Sequence, residues 1–137
     1  MSYSAIEGGH WPDGIIPYVI VDSSNSRNIT DHNNPENSFV FADFDPRARK
    51  LILQAIERFH ASTCLRFVKR KYYHQYYIKI MNKLTWDKTT LQWKESECQS
   101  NVGIDYTRRS IGQPVNLASK CFIEQDKHPK IVPKIGT

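Results

Sequence analysis

Long apolar runs are missing from this sequence of 137 residues, and no stretch approaches the length that crosses a membrane. The first residues, MSYSAIEGGHWPDG, contain no basic segment followed by an apolar one, so the sequence predicts no signal peptide. Internal repeats and low-complexity tracts are absent as well. With 39% hydrophobic and 24% charged residues, the composition excludes a disordered chain and predicts one globular domain without membrane contact.

Cysteine is scarce, and the absence of a Cys-x-x-Cys pair argues against a zinc knuckle or a thioredoxin-like site. The three cysteines are Cys64, Cys98 and Cys121. In a secreted domain this odd count predicts one unpaired thiol, whereas in a cytosolic domain all three could be buried thiols. The triplet that begins at Asn28 is a glycosylation acceptor, which weakly favours a secreted glycoprotein.

No two of the five histidines are four residues apart, and none is followed by glutamate. A helix that binds a metal through two histidines therefore has no counterpart in this sequence. A metal site assembled from scattered histidines is the alternative to five surface or loop residues. The residues concerned are His10, His32, His60, His74 and His128.

The net charge is +5, and the basic residues form one local cluster in VKRKYYHQYYIK, residues 68–79. Cations next to tyrosines could bind nucleic acid, because cations contact phosphates and aromatic rings stack on bases. The same pattern fits a strand with solvated lysines and an aromatic packing face. No nucleic-acid-binding fingerprint accompanies the cluster, so the sequence predicts no nucleic-acid partner.

One long helix is predicted over residues 45–63, DPRARKLILQAIERFHAST. Asp45 suits the N-cap, and Pro46 suits the first helical position. The helix carries a single apolar stripe made of Leu51, Ile52, Ala55, Ile56 and Phe59. Burial of that stripe would contribute about 10 kcal/mol before chain entropy is counted.

Five segments have the composition of β-strands, namely residues 15–22, 64–70, 76–82, 98–106 and 113–121. Pro17 places the first of them at a sheet edge or at an irregular point. The residues between the third and fourth segments, KLTWDKTTLQWKESE, look like a long polar insertion. The order of these segments predicts an α+β fold with a twisted five-stranded sheet backed by the one long helix.

Six pieces of the chain, in this order, resemble the N-terminal half of an astacin-type zinc metalloendopeptidase. They are WPDGIIPYVI, the helix, TCLRFVKR, YYIKI, CQSNVG and QPVNLASKC, and they extend over residues 11–121. The resemblance implies the upper subdomain of a metzincin-like fold, with a mixed sheet. It predicts this subdomain over residues 1–121 and an irregular tail over residues 122–137, in place of the zinc-binding helix.

The resemblance also implies roles for single residues. In the family, one strand at the lower edge of the sheet runs antiparallel to the bound peptide. By position, this substrate-binding edge strand consists of Cys98, Gln99, Ser100 and Asn101. An ordinary strand end fixed by a disulfide is the alternative. The family pairing implies a disulfide between Cys98 and Cys121 and leaves Cys64 without its partner.

The zinc-binding helix of the family, with His-Glu-x-x-His-x-x-Gly-x-x-His, follows the position of Cys121, and the present sequence has no such motif. The closing KIVPKIG resembles a stretch late in the lower subdomain of the family, which suggests a truncated or exon-skipped domain. The resemblance therefore implies an endopeptidase domain that is inactive as this chain. It predicts no catalytic residue, no metal ligand and no zinc here, although the intact family domain binds zinc.

A non-catalytic peptide-binding module, or pseudoprotease, that uses the edge strand is the alternative function. An unrelated nucleic-acid binder is a third hypothesis, and the order of the six pieces argues against it. The resemblance implies extended peptides or protein substrates as partners, and secretion as the localisation. It implies no membrane partner, and neither substrate preference nor oligomeric state follows from it.

Overall fold

The computed structural model describes residues 10–22, 25, 33–100, 103–125 and 128–131, and for residues 36, 123–125 and 128–131 it describes the backbone alone. Within these ranges the chain forms one long helix and nine strands. Seven of the strands belong to one mixed sheet, and the other two form a separate pair. The predicted α+β class, a mixed sheet with one long helix, is confirmed.

Five strands form the main path of the sheet. In sheet order they are β3 (Arg66–Lys69), β1 (Ile15–Ile20), β4 (Ile78–Asp87), β7 (Gln113–Asn116) and β6 (Gln99–Ser100). Strands β3, β1, β4 and β7 run parallel to one another, whereas β6 runs antiparallel to β7. Each of these strands lies within one of the five segments predicted from the sequence, apart from a C-terminal extension of β4.

Pro17 predicted either a sheet edge or an irregular point, and the edge is excluded, because β3 and β4 flank β1 on both sides. The proline is tolerated because β3 and β4 pair with different parts of β1. Pro17 lies opposite Val68 of β3, whereas pairing with β4 begins one residue later, at Tyr18. Pro17 therefore has no partner in β4, and its missing N–H group costs the sheet no hydrogen bond on that side.

The long helix, α1, spans Pro46–Ser62 and begins as the sequence predicts. Asp45 is the N-cap, and its Oδ1 accepts a hydrogen bond of 2.7 Å from the backbone N–H of Ala48. Pro46 occupies the first position, where its missing N–H group is no loss. The C-cap is Thr63, whose backbone N–H and hydroxyl both donate to the carbonyl oxygen of Phe59.

The core lies between α1 and one face of the sheet. Ile52 and Ile56 of the helix share a buried cluster with residues of the central strands and with Leu117 directly after β7; the strand residues are Ile16, Ile20, Ile78, Ile80 and Val115. Phe59 was predicted to belong to the same apolar stripe, but 46% of its surface is exposed. Its ring packs instead against Phe67 of β3, 5.5 Å between centroids, because the last turns of the helix pass over this edge strand.

The sheet has two strands more than predicted, because the supposed polar insertion folds as a hairpin. Strand β4 continues to Asp87, and β5 (Gln92–Glu95) returns antiparallel to it. On the other side of the same extension, β2 (Phe39–Ala42) also pairs antiparallel with β4. The hairpin is stabilised by the cross-strand pair of Trp86 and Trp93, whose rings meet edge to face at 5.3 Å.

Asp87 closes the turn of this hairpin. Its Oδ2 lies 2.7 Å from Lys94 Nζ, and its Oδ1 accepts a hydrogen bond of 2.8 Å from the backbone N–H of Thr89. The hydrogen bond from Lys94, followed by that from Thr89, lowers the pKa of Asp87 to about 2. Since these bonds favour the ionised form, the turn is most stable when Asp87 carries its charge.

Acid should therefore destabilise the folded hairpin. A carboxyl group with a lowered folded-state pKa stabilises the fold above its unfolded pKa, and the effect is lost as pH falls through the folded pKa. For Asp87 this window extends from 3.8 down to about 2. We expect the melting temperature of Asp87→Asn to vary less than that of the wild type over this window. Glu57→Gln, on the exposed part of α1, is the control; an equally flattened profile for it would contradict the assignment to Asp87.

The tail after Cys121 is not irregular over the residues that are described. Strand β8 (Phe122–Gln125) pairs antiparallel with β9 (His128–Ile131), in a register that joins Phe122 to Ile131. Phe122 and Ile123 of β8 favour a strand, whereas β9 contains Pro129 and has only Ile131 as a β-branched residue, so its sequence gives little strand signal. The assignment of residues 1–121 and 122–137 to two separate parts remains a prediction.

Candidate functional site

The predicted edge strand, β6, is the last strand in the order of the sheet. Gln99 lies opposite Asn116 of β7, and Ser100 lies opposite Val115. Gln99 is exposed and Ser100 is half-buried, whereas Cys98 directly before them is buried. The position predicted for a fourth member of this strand, Asn101, lies outside the described residues.

A buried asparagine holds the entry to β6 in place. Asn116 is 5% exposed, and its side-chain amide bonds two other segments of backbone. Its Nδ2 donates to the carbonyl oxygen of Glu97, and its Oδ1 accepts from the backbone N–H of Lys83, each over 2.8 Å. One side chain of β7 thus provides hydrogen bonds to the backbone N–H of Lys83 and to the carbonyl oxygen of Glu97. Loss of this side chain would leave both backbone groups without that partner.

Three side-chain links join the segment before β6 to the segment after β7, and we call this set the seam. The first is the hydrogen bonding of Glu95 to Ser119, the second is the ion pair of Glu97 with Lys120, and the third is the disulfide. The structure joins Cys98 to Cys121, with 6.1 Å between their Cα atoms, as the resemblance implied. Cys64 is unpaired and exposed.

Glu95 is the polar centre of the seam. Its Oε2 accepts a hydrogen bond of 2.7 Å from the hydroxyl of Ser119, and bonds of 2.8 Å from the backbone N–H of Ser119 and from Asn82 Nδ2. Burial acts to raise the pKa of Glu95, but the bonds from Ser119 and Asn82, with the nearby charge of Lys120, lower it on balance. The carboxylate therefore stays ionised and keeps its three donors at neutral pH.

Two hollows adjoin these residues. One, of about 160 Å³, lies beside the edge strand and is lined by Gln99, Ser100, Pro114 and Asn116. The other, of about 200 Å³, lies between the start of α1 and the seam; its lining includes Asp45, Asn82 and Ser119. Asn82 Oδ1 is buried and has no hydrogen-bond partner among the described residues. The first hollow is large enough for one side chain of a peptide lying against β6.

Two of the histidines use a ring nitrogen to bond backbone. His60 Nε2 accepts from the backbone N–H of Phe67 at 2.9 Å, and His74 Nδ1 accepts from that of Lys71 at 2.8 Å. A nitrogen that accepts such a bond cannot also bind a metal. Within the described ranges, no group of three His, Cys, Asp or Glu side chains could hold a metal ion. His32 and the side chain of His128 lie outside those ranges.

A comparison with protein families identifies the chain. The model of the astacin family of peptidases matches residues 5–126, which is most of the sequence. The chain belongs to the astacin family. A search of curated proteins returned no match. The predicted resemblance is confirmed at the level of the family, and the α+β fold with one long helix and a mixed sheet is consistent with an astacin-like domain.

Membership of the astacin family gives the broad class of activity. The family consists of zinc-dependent metalloproteases, most of them secreted, that act on peptides or proteins. The described residues of this astacin chain do not fit a zinc site, because they bring no three suitable ligands together. In the part of the chain that the structure describes, no helix is long and apolar enough to cross a membrane.

The site residues differ in how far they could be inferred from the sequence. The disulfide and the edge strand followed from the order of the motifs. Asn116, Asn82 and Glu95 were missed, because isolated polar residues in a strand give no signal until their distant partners are known. The glycosylation acceptor Asn28 lies outside the described residues and remains a prediction.

Proposed function

We propose that this chain is the substrate-binding half of an astacin-type endopeptidase domain, and that it binds extended polypeptide along β6. The observation that carries the proposal is the position of β6 as the terminal, antiparallel strand of an otherwise parallel path. A peptide added to such a strand gains backbone hydrogen bonds whatever its sequence, and the neighbouring hollow admits a side chain. The seam supports this function, because it orders the strand before a peptide arrives.

We further propose that the chain by itself does not hydrolyse peptides, as expected of a truncated or exon-skipped domain. Peptide cleavage in this family requires a metal-bound water and a glutamate that acts on it. The 137 residues contain no His-Glu-x-x-His motif, and the scattered histidines offer no substitute spacing. A dedicated non-catalytic binding module is the second candidate, and the same edge strand favours it.

Peptide binding can be tested by removing backbone donors from β6. Successive residues of a strand direct their N–H groups to opposite sides. One of the two variants Gln99→Pro and Ser100→Pro therefore removes a donor that faces away from β7. We expect that variant to bind a fluorescently labelled extended peptide about tenfold more weakly, the effect of roughly one hydrogen bond.

Gln99→Ala is the matched control, because it removes the side chain and keeps the backbone donor. Its affinity should stay close to that of the wild type. Thermal unfolding of each variant shows whether the sheet is intact. If both proline variants fold and bind the peptide as the wild type does, β6 is not the binding edge.

Hydrolysis is tested separately, on protein produced through an oxidising secretory route. Bound zinc per mole is measured together with cleavage of a generic protein substrate. We expect no tightly bound zinc and no cleavage. Cleavage that a chelator abolishes would contradict the proposed inactivity and would require a metal site among residues outside the described ranges. Peptide binding without cleavage would fit both candidates, and a transcript that continues into a zinc motif would distinguish them.

A further inference from the structure

The positive charge of the chain is concentrated in two segments that the proposed function does not use. Of the 19 basic and 14 acidic residues in the sequence, six basic residues and one acidic residue lie in residues 69–79 and 103–112. The other segments therefore contain 13 of each and are neutral overall. The two segments are the connection that leads into β4 and the connection from β6 to β7.

The two segments form one surface. The backbone N–H of Ser110 donates to the carbonyl oxygen of Gln75 over 2.6 Å. The rings of Tyr76 and Tyr106 meet edge to face, with 5.2 Å between their centroids. These contacts place the basic residues of one segment beside those of the other.

The buried Tyr77 packs against residues of both segments. The guanidinium of Arg70 lies 4.1 Å above the centre of the Tyr77 ring. A Cβ atom at Gly112, where φ is +77°, would lie 2.6 Å from the Tyr77 ring and 2.8 Å from the Cγ atom of Lys79. Glycine is therefore the residue that lets Tyr77 and Lys79 pack side by side against the second segment.

Six cations lie in these two segments with a single acid, Asp105, among them. Burial, and then repulsion by the charge of Arg108, lower the pKa of Lys79. The Nε atom of Arg108 lies 3.9 Å from Oδ2 of Asp105, which is a long distance for an ion pair. In the part of the chain that the structure describes, none of Lys69, Arg70, Lys71, Lys79 and Arg109 forms an ion pair with a carboxylate.

A polyanion would relieve this repulsion, and the type of polyanion follows from two observations. The tyrosines pair edge to face, as Tyr72 and Tyr73 do at 83°, and Arg70 covers one face of Tyr77. Tyr72, Tyr73 and Tyr106 are exposed, but because their rings meet neighbouring rings edge to face, they do not form the row of parallel ring faces on which successive bases of single-stranded nucleic acid stack. The disulfide of the seam belongs to an oxidising compartment, where the abundant linear polyanions are sulfated polysaccharides.

We propose that the surface formed by residues 69–79 and 103–112, the cationic surface, binds a sulfated polysaccharide of the heparin type. Arg70, Lys79 and Arg108 form its half-buried centre, and Lys71 and Arg109 are exposed beside it. Guanidinium and ammonium groups bind sulfate oxygens through charge-assisted hydrogen bonds. The polysaccharide would retain the protein in a sulfated matrix while β6 stays available to polypeptide.

The test uses the full chain with its disulfide intact, and heparin as the probe. The variant Lys71→Glu/Arg109→Glu reverses two exposed charges of the cationic surface. The control Lys50→Glu/Lys88→Glu reverses two exposed lysines on α1 and on the hairpin turn, so that both variants have the same net charge. We expect the first variant to bind heparin at least about tenfold more weakly, and the control to change by less than about twofold.

Each outcome decides for or against the proposal. An equal loss in the two variants would show that net charge alone attracts heparin, and the cationic surface would then have no special role. Unchanged binding in the first variant would exclude the surface directly. Desulfated heparin should bind far more weakly than heparin. Oligo-thymidine that binds as tightly as heparin would overturn the choice of a sulfated polysaccharide in favour of single-stranded nucleic acid.

Discussion

Removal of the disulfide should lower the free energy of unfolding by about 3 kcal/mol. Cys98 and Cys121 are 23 residues apart in sequence, and the bond between them reduces the entropy of the unfolded chain. We expect this loss for Cys98→Ser/Cys121→Ser in urea denaturation under non-reducing conditions. Both residues are buried, 6% and 0% exposed, so the double variant would also bury two polar hydroxyls in place of the disulfide. The measured loss should therefore not fall far below the chain-entropy value.

Cys64→Ser is the control for this experiment, since Cys64 is exposed and unpaired. Its unfolding curve should overlie that of the wild type in the absence of reductant. Reductant should shift the wild type towards the double variant and leave the double variant unchanged. A double variant as stable as the wild type would show that the seam does not depend on the disulfide.

Truncation of Ile52 should have a comparable effect on stability. This side chain is 2% exposed and packs between α1 and the sheet, so Ile52→Ala removes three carbons from the centre of the core. Large-to-small changes at such sites cost about 2 to 5 kcal/mol, part of it from the cavity that remains. We expect a loss of about 3 kcal/mol in urea denaturation, with the slope of the transition unchanged.

The neighbouring Leu53 provides the matched control. It lies one residue further along the same helix, with 43% of its surface exposed. Because alanine is at least as favourable in a helix, Leu53→Ala should cost less than about 1 kcal/mol. Similar losses at the two positions would mean that α1 does not bury the face described here.

The parallel path and the helix could be predicted because their signals are local. Ile15–Ile20 is a continuous apolar run, and α1 has its N-cap, its proline and its apolar spacing within 17 residues. The hairpin was missed because polar residues dominate it. Its two tryptophans, Trp86 and Trp93, are seven residues apart in sequence and look unrelated until the register pairs them. A tryptophan on each side of a polar turn is the signal that would have predicted this hairpin.

The extent of the edge site was harder to predict, because it depends on contacts between distant segments. Glu95 and Ser119 are 24 residues apart, and Asn116 bonds Lys83 from 33 residues away. No periodicity connects such pairs. The disulfide could be inferred only because the order of motifs identified a family whose pairing is known, since three cysteines by themselves allow three different single bridges.

The seam fastens one short piece of chain by two chemically different means. Cys98–Cys121 opens to a reductant, whereas the carboxylate links, Glu95 to Ser119 and Glu97 to Lys120, weaken when acid protonates the carboxylates. Either condition alone leaves the other fastening in place. Acid and reductant therefore act on different links of the seam. At least one type of link would persist under acidic but oxidising conditions, or under reducing but neutral conditions. Opening all three links of the seam would require both conditions together.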